Sequence, residues 1–507
     1  MIIKAIPSTV LLVILVPVAT SEPARPCESL KSLTLPRTTI TVAQAVAPGA
    51  LVLPGVSRPG AWREVPAFCR VAATLTPSSD SHINIEVWLP SEGWNGKYRA
   101  VGNGGWAGNI NYDAMRDALR SGYATSSTDT GHTGNGGDAS FASGHPEKLI
   151  DFAYRSVHEM ASKTKAIIEV FYGTPARYAY WYGCSTGGRQ GLEEAQRFPN
   201  DFDGIVADAP AINQTRLNVS YLWVAQATLK DPASYIPASK YPVIHNAVLQ
   251  ACDAHDGVTD GVLDDPTRCR FDPEVLKCVR ADAPTCLTAP QVEAARKIYA
   301  GPKNPRTLQS IAPGLEPGSE LLWAPLAGGP TAQSIGDTYF KFVVFNDTNW
   351  DFRALDFDSD VVRVDRLDNG LLATTEKDLT AYAARGGKLM LIHGWSDQFI
   401  GPRNTISYYQ SVVEKMGAAR TAGFVRLFMA PGMGHCGGGE GPNTFDRSAP
   451  VERWVERGTR PDQIIASRGA QGKVDRTRLL CPYPQVARYK GTGNTNHSGN
   501  FVCGDPN

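Results

Sequence analysis

Apolar and polar residues alternate along Ile83-Asn84-Ile85-Glu86-Val87-Trp88-Leu89, the period-two pattern of a half-buried strand. Tyr98-Arg99-Ala100-Val101 and Gly122-Tyr123-Ala124-Thr125-Ser126-Ser127 read as two further strands. After Pro146 the period lengthens, and Phe152, Val157, Met160, Ala161, Ile167 and Ile168 predict a helix over about 146–172. A strand at Tyr178-Ala179-Tyr180-Trp181-Tyr182, a helix from Gly188 to Phe198 and a strand from Phe202 to Asp208 follow. This alternation implies a parallel sheet with helices on its faces. Between 211 and 385 the pattern loosens, where four cysteines, an acidic loop and many prolines interrupt the helical segments. That stretch reads as an inserted domain, leaving 21–210 and 386–507 as the core. The sheet resumes at Lys388-Leu389-Met390-Leu391-Ile392-His393, then a helix near 406–416, then a strand at Val425-Arg426-Leu427-Phe428-Met429.

With 507 residues and 42% hydrophobic content, the chain can bury a large core in two or three structural units. Fifty basic residues balance fifty acidic ones, so no overall field draws nucleic acid or an anionic membrane. A neutral or weakly charged substrate fits better. Residues 1–20 carry Lys4, an apolar run from Val10 to Val18 and then small residues, the layout of a cleaved secretory signal. A membrane anchor is the alternative, but the run falls short of the roughly twenty residues a span requires. Ten cysteines behind such a signal indicate disulfides and an oxidising compartment, extracellular, or periplasmic in a bacterium. Zinc is the poorer reading, because no Cys-x-x-Cys pair occurs. Asn213, Asn218, Asn346 and Asn496 open glycosylation sequons, meaningful only in a eukaryotic host.

Gly183-Cys184-Ser185-Thr186-Gly187 sets a serine between an apolar strand and a helix, as a nucleophile elbow does. Serine attacks only when a base takes its proton, and the base must be oriented by a third group. Open sheets place such groups in loops after strands. Two loops qualify: His393-Gly394-Trp395-Ser396-Asp397 and Pro431-Gly432-Met433-Gly434-His435-Cys436. The order Ser, Asp, His is that of the α/β-hydrolase fold, with Ser185 as nucleophile, His435 as base and Asp397 as orienting acid. Asp208, which also ends a strand, is the alternative acid. His393 reads as a buried, hydrogen-bonded residue, while His132, His145, His158 and His255 lack a strand-end setting. Cys184 precedes the serine and Cys436 follows the histidine, so a bond between them would hold Ser185 and His435 together. The amide of Thr186 and one from the glycine-rich loop around Gly104 and Gly105, with Gly105 the first choice, are candidate oxyanion donors. In the acidic loop 252–265, the carboxylates of Asp253, Asp256 and Asp260 with the carbonyls of Val258 and Val262 suit calcium, although the spacing is not that of an EF-hand.

Taken together, Gly-Cys-Ser-Thr-Gly-Gly-Arg at 183–189, Phe-Pro-Asn-Asp-Phe-Asp-Gly-Ile at 198–205, His-Gly-Trp-Ser-Asp at 393–397 and Gly-Met-Gly-His-Cys at 432–436 resemble the tannase and feruloyl esterase family. The resemblance implies an α/β-hydrolase fold with a large inserted lid domain, a bonded Cys-Ser and His-Cys pair, and structural calcium in the lid. It also implies the pairs Cys27 with Cys69, Cys252 with Cys269, Cys278 with Cys286, and Cys481 with Cys503. The implied activity is hydrolysis of phenolic-acid esters, feruloyl or hydroxycinnamoyl first, galloyl second and mono-aromatic esters third. The substrate is a small molecule or is linked to polysaccharide, without nucleic acid, organic cofactor or, after signal cleavage, membrane. A catalytically silent hydrolase-fold binding protein is the reading from another class. Trp223, Phe342 and Trp350 are lid aromatics that could serve either substrate or core.

Overall fold

In the computed structural model, which describes residues 25–53, 62–470 and 472–506, nine strands share one sheet. They are β1 (Thr38–Val46), β2 (Phe68–Leu75), β3 (Ile83–Pro90), β4 (Lys97–Val101), β5 (Ala124–Thr128), β6 (Tyr178–Cys184), β7 (Gly204–Asp208), β8 (Lys388–Gly394) and β9 (Val425–Ala430). Across the sheet their order is β1-β2-β3-β5-β4-β6-β7-β8-β9. The expectation of a parallel sheet holds from β5 to β9 only; β1, β2, β3 and β5 pair antiparallel. Residues 76–82, which join β2 to β3, are too few for the crossover helix that a parallel neighbour requires.

The central strands are apolar throughout because both faces are covered. Trp181, Ile205 and Leu391 point to one side, where Val157, Met160, Ile167, Ile168 and Phe171 pack on them. Tyr180, Tyr182, Val206, Met390 and Ile392 point to the other, against Val451 of the helix Ser448–Arg457. The period of two thus divides each strand between two cores. Seven helices carry the remaining landmarks: α1 (Tyr112–Arg120), α2 (Pro146–Ile150), α3 (Ser156–Tyr172), α4 (Thr186–Arg197), α5 (Gln214–Leu229), α6 (Tyr241–Cys252) and α7 (Ala289–Ala300). The single helix expected over 146–172 is α2 and α3 joined by a π turn at Asp151–Arg155. The helix expected from Gly188 begins two residues earlier, directly after Ser185.

Between Asp208 and Lys388 the chain contributes no strand to the sheet. Its helices build their own cores, around Val219, Leu222 and Phe340 and around Ile244, Val292 and Trp323. Trp106 and Phe152 from the preceding segment enter the first of these cores, and the Trp106 indole donates to the Ile335 carbonyl at 3.0 Å. The insert is thereby docked over the ends of β4 and β6. Its last helix, Thr380–Ala384, sends Tyr382 into the sheet's own core. Trp223 and Trp350 are packing residues: Trp223 meets Phe357 edge-on and donates to Lys297, and Trp350 stacks on Phe340 and Phe345.

Five disulfides join Cys27 to Cys69, Cys184 to Cys436, Cys252 to Cys269, Cys278 to Cys286 and Cys481 to Cys503, leaving no free cysteine among the described residues. The expected signal at 1–20 lies outside the described residues. No described helix is long and apolar enough to cross a membrane. Of the four sequons, Asn218 is wholly buried within α5 and cannot carry a glycan in the folded protein, whereas Asn346 is exposed.

Candidate active site

β6 turns into α4 at Ser185, whose φ of 62° and ψ of −124° lie where L-residues are strained. Neighbouring glycine makes the turn possible: a Cβ on Gly183 would sit 2.2 Å from the carbonyl oxygen of Gly187. The Ser185 amide donates to the Asp208 carbonyl at 3.0 Å and its carbonyl accepts from Ala211, so β7 and the start of the insert hold the elbow.

β8 ends in the loop that carries Asp397, and β9 in the loop that carries His435. The two meet through a 2.8 Å bond between His435 Nδ1 and Asp397 Oδ2. Asp397 is fully buried; its Oδ1 accepts from the amides of Phe399 and Ile400 at 2.8 and 2.9 Å. Burial opposes its charge, but the facing His435 and the hydrogen-bonded His393 outweigh it and hold the carboxyl below the ordinary aspartate range. Burial likewise disfavours a charged His435, and Asp397 reverses that, leaving the imidazole a stronger base than usual.

His393 is buried and bonded to Thr405 at 2.8 Å, the Ile400 carbonyl at 3.0 Å and, 3.1 Å away, Asp397. It is the buried, hydrogen-bonded residue that its strand-end position suggested, and it also contacts the Asp397 carboxylate. Asp208 does not reach the histidine: its Oδ2 accepts from Arg447 Nε at 2.8 Å. Asp397, not the alternative Asp208, is therefore the acid in contact with His435.

Cys184 and Cys436 are bonded with Cα atoms 5.9 Å apart, and Cys436 itself takes a φ of 63°. Ser185 and His435 line one cavity of about 540 Å³, within the range that takes drug-sized ligands. Asn103, Gly104, Gly105, Tyr182 and Arg447 from the core share its wall with Tyr221 and Ile335 of the insert and with Phe399. Phe399 also packs edge-on against the His435 ring. Thr186 Oγ1 donates to the Gly105 carbonyl at 2.8 Å, tying the elbow to the glycine loop. Gly105 has a φ of 55°, and a Cβ there would lie 2.3 Å from the Gly136 carbonyl. Among the described residues, the amides of Gly105 and Thr186 have no carbonyl or side-chain acceptor. Sequence reading missed Arg447, Tyr221 and Phe399. Only Phe399, two positions beyond Asp397, carried a signal that could have found it.

The loop after His435 has a second anchor. His245 of α6 lies between Glu320, 2.9 Å from its Nδ1, and Glu440, 2.8 Å from its Nε2. Burial lowers the affinity of His245 for a proton, but the two glutamates overcome it and raise the pKa to about 9. A raised folded-state value adds stability below the unfolded value near 6.5, and that stability is lost as pH climbs through about 9. The melting temperature should therefore fall between pH 6.5 and 9 in the native protein, and His245→Gln should flatten that decline. An equally steep decline in both proteins would remove the imidazole from the loop's support.

A profile of the family described as tannase and feruloyl esterase matches residues 69–504. An uncharacterised esterase of Xanthomonas campestris is 41% identical, covering 96% of this chain and 92% of that protein. A probable feruloyl esterase B-2 of Aspergillus terreus is 34% identical over 86% of each chain. The crystal structure of feruloyl esterase B from Aspergillus oryzae superimposes with a TM-score of 0.88 at 31% identity, covering 94% of this chain and 99% of that one. An α/β-hydrolase sheet, an elbow serine beside a buried Asp-His pair, and these likenesses over nearly the whole length agree: this chain belongs to the tannase and feruloyl esterase family and is a carboxylic-ester hydrolase.

Proposed function

We propose that the protein hydrolyses phenolic-acid esters through Ser185, His435 and Asp397, with feruloyl or related hydroxycinnamoyl esters as the preferred class. The observation that carries this reading is the 2.8 Å Asp397–His435 bond, which opens onto the same cavity as an elbow serine bonded through its neighbour to the histidine's neighbour. Ser185 Oγ attacks the ester carbonyl while His435 takes its proton; the tetrahedral oxyanion faces the amides of Thr186 and Gly105. His435 returns the proton to the leaving alcohol, and water, deprotonated by the same imidazole, releases the acid. Tyr221, Ile335 and Phe399 give the acid's ring an apolar wall, supplied largely by the insert acting as a lid. Likeness to a probable feruloyl esterase B-2 and to feruloyl esterase B supports the hydroxycinnamoyl class. Initial rates on methyl ferulate, methyl gallate and a benzoate ester rank the classes. Methyl ferulate should be turned over fastest, and no turnover of any ester by the oxidised protein would end the proposal.

Five disulfides support a working place where thiols are oxidised, in keeping with a secreted enzyme. Calcium is proposed for the loop 252–265 on the chemistry of its donors. Asp253, Asp256 and Asp260 supply hard oxygens, and no backbone amide among the described residues donates to the carbonyls of Val258 or Val262. Arg478 pairs with the Asp260 carboxylate and Arg476 donates to its carbonyl at 2.9 Å, so the strand Lys473–Leu480 fixes the loop's far end. Calcium there neutralises acidic groups and serves the scaffold. Chelation should lower the melting temperature by several degrees and leave the turnover of still-folded protein unchanged, with restoration on adding calcium. Calorimetry showing no shift would remove the metal from the loop.

A further inference from the structure

Away from the cavity, His158 of α3, Glu194 of α4 and Asp201 in the turn before β7 bring one imidazole nitrogen and two carboxylates together, with their ligand atoms all within 4.8 Å of one another. His158 Nδ1 lies 2.6 Å from Asp201 Oδ2, and its ring is stacked on Phe198 with centroids 3.9 Å apart, which fixes the plane of the nitrogen. Glu194 is 1% exposed, and neither of its oxygens has a hydrogen-bond donor beside it; what faces it is the second carboxylate, Asp201. Lys165 does not fill that need. Its Nζ stands 3.7 Å from the other oxygen of Asp201 and donates to the Asn200 carbonyl. A buried carboxylate without a donor is costly, and two in contact require a cation or a proton between them.

We infer that His158, Glu194 and Asp201 form a binding site for a first-row divalent cation of the zinc class. One imidazole nitrogen with two carboxylate oxygens matches zinc, cobalt or manganese better than calcium or magnesium, which take oxygen shells of six or more. His158 is partly exposed, giving the ion an entry path and leaving room for water ligands. On binding, the Nδ1 proton moves to Nε2 at the solvent side, the His158–Asp201 hydrogen bond is replaced by two bonds to the metal, and any proton shared by Glu194 and Asp201 is released to solvent.

The ion joins α3 to α4, the helix that starts at the nucleophile. Glu194 stands nine positions beyond Ser185, about 13 Å along the helix axis, so the centre ties two scaffold helices together and touches no reacting atom. The site stands independently of the ester substrate.

The test uses the whole oxidised protein, stripped of metal, with calcium restored in excess, and titrated with Co2+ by visible absorption and with Zn2+ by melting temperature. One saturable equivalent beyond calcium, with a rise in melting temperature, is expected. His158→Ala and Glu194→Gln, the second preserving shape and able to donate to Asp201, should each weaken Co2+ binding at least about tenfold, or ~1.4 kcal/mol. Ester turnover by either folded variant stays at the native rate. Absence of saturable binding, or equal binding by both variants and the native protein, overturns the site and assigns the pocket to a proton shared between carboxylates.

Discussion

Ser185→Ala should lower kcat on any phenolic ester by about four to six orders of magnitude, because the alcohol that accepts the acyl group is removed and nothing else in the cavity replaces it. The protein should melt at the native temperature. Alanine keeps the Cβ that the 62° backbone already accommodates, and the three backbone hydrogen bonds that hold residue 185 do not involve the hydroxyl. Single-turnover kinetics with a chromogenic ester, alongside calorimetry, separates the two effects. Residual activity within a hundredfold of native would assign the nucleophile elsewhere.

The second large effect belongs to sulfur. In the oxidised protein, Cys184 and Cys436 close a loop with a sequence separation of 252, and the chain-entropy relation gives a closure of that length about 5 kcal/mol of stability. The double change Cys184→Ser with Cys436→Ser should lower global stability by that order. It should also cost about a hundredfold in turnover by the protein that stays folded, because Cys436 is held at a φ of 63° and glycines at 437, 438 and 439 follow it. Without the bond, the loop loses the constraint that aims His435, leaving the Asp397 contact and the His245 anchor. Urea unfolding with activity measured in the folded baseline checks both figures. Native turnover in the double variant would show that the imidazole is placed without the bridge.

Where a residue's placement depends on its immediate neighbours, the chain disclosed it. Ser185 was legible because Gly183 and Gly187 flank it and an apolar strand precedes it; Asp397 and His435 were legible because each follows an apolar run in the order that an open sheet requires. The bonded cysteines were legible only through family resemblance, since spacing alone leaves many pairings open. β1 was not legible: it is an edge strand whose burial follows no two-residue period. β2 was missed with it, and so was the antiparallel pairing of β1, β2, β3 and β5, although β3 and β5 themselves were read as strands. Arg447, Tyr221 and Ile335 reach the cavity from three distant parts of the chain, and their convergence is set by how the insert docks through Trp106 and Phe152, which no local pattern encodes. Asn218 shows the converse, a surface motif in sequence that tertiary packing places inside a helix core.

The insert separates Ser185 from Asp397 and His435 in chain order while leaving β7 and β8 adjacent in the sheet. On the proposed triad, a nascent polypeptide therefore carries an unactivated alcohol through most of its synthesis, and hydrolytic power arrives only when the last third of the molecule has emerged, rising to its full rate once Cys184 and Cys436 are oxidised. The fold itself delays the enzyme's competence until it has been finished.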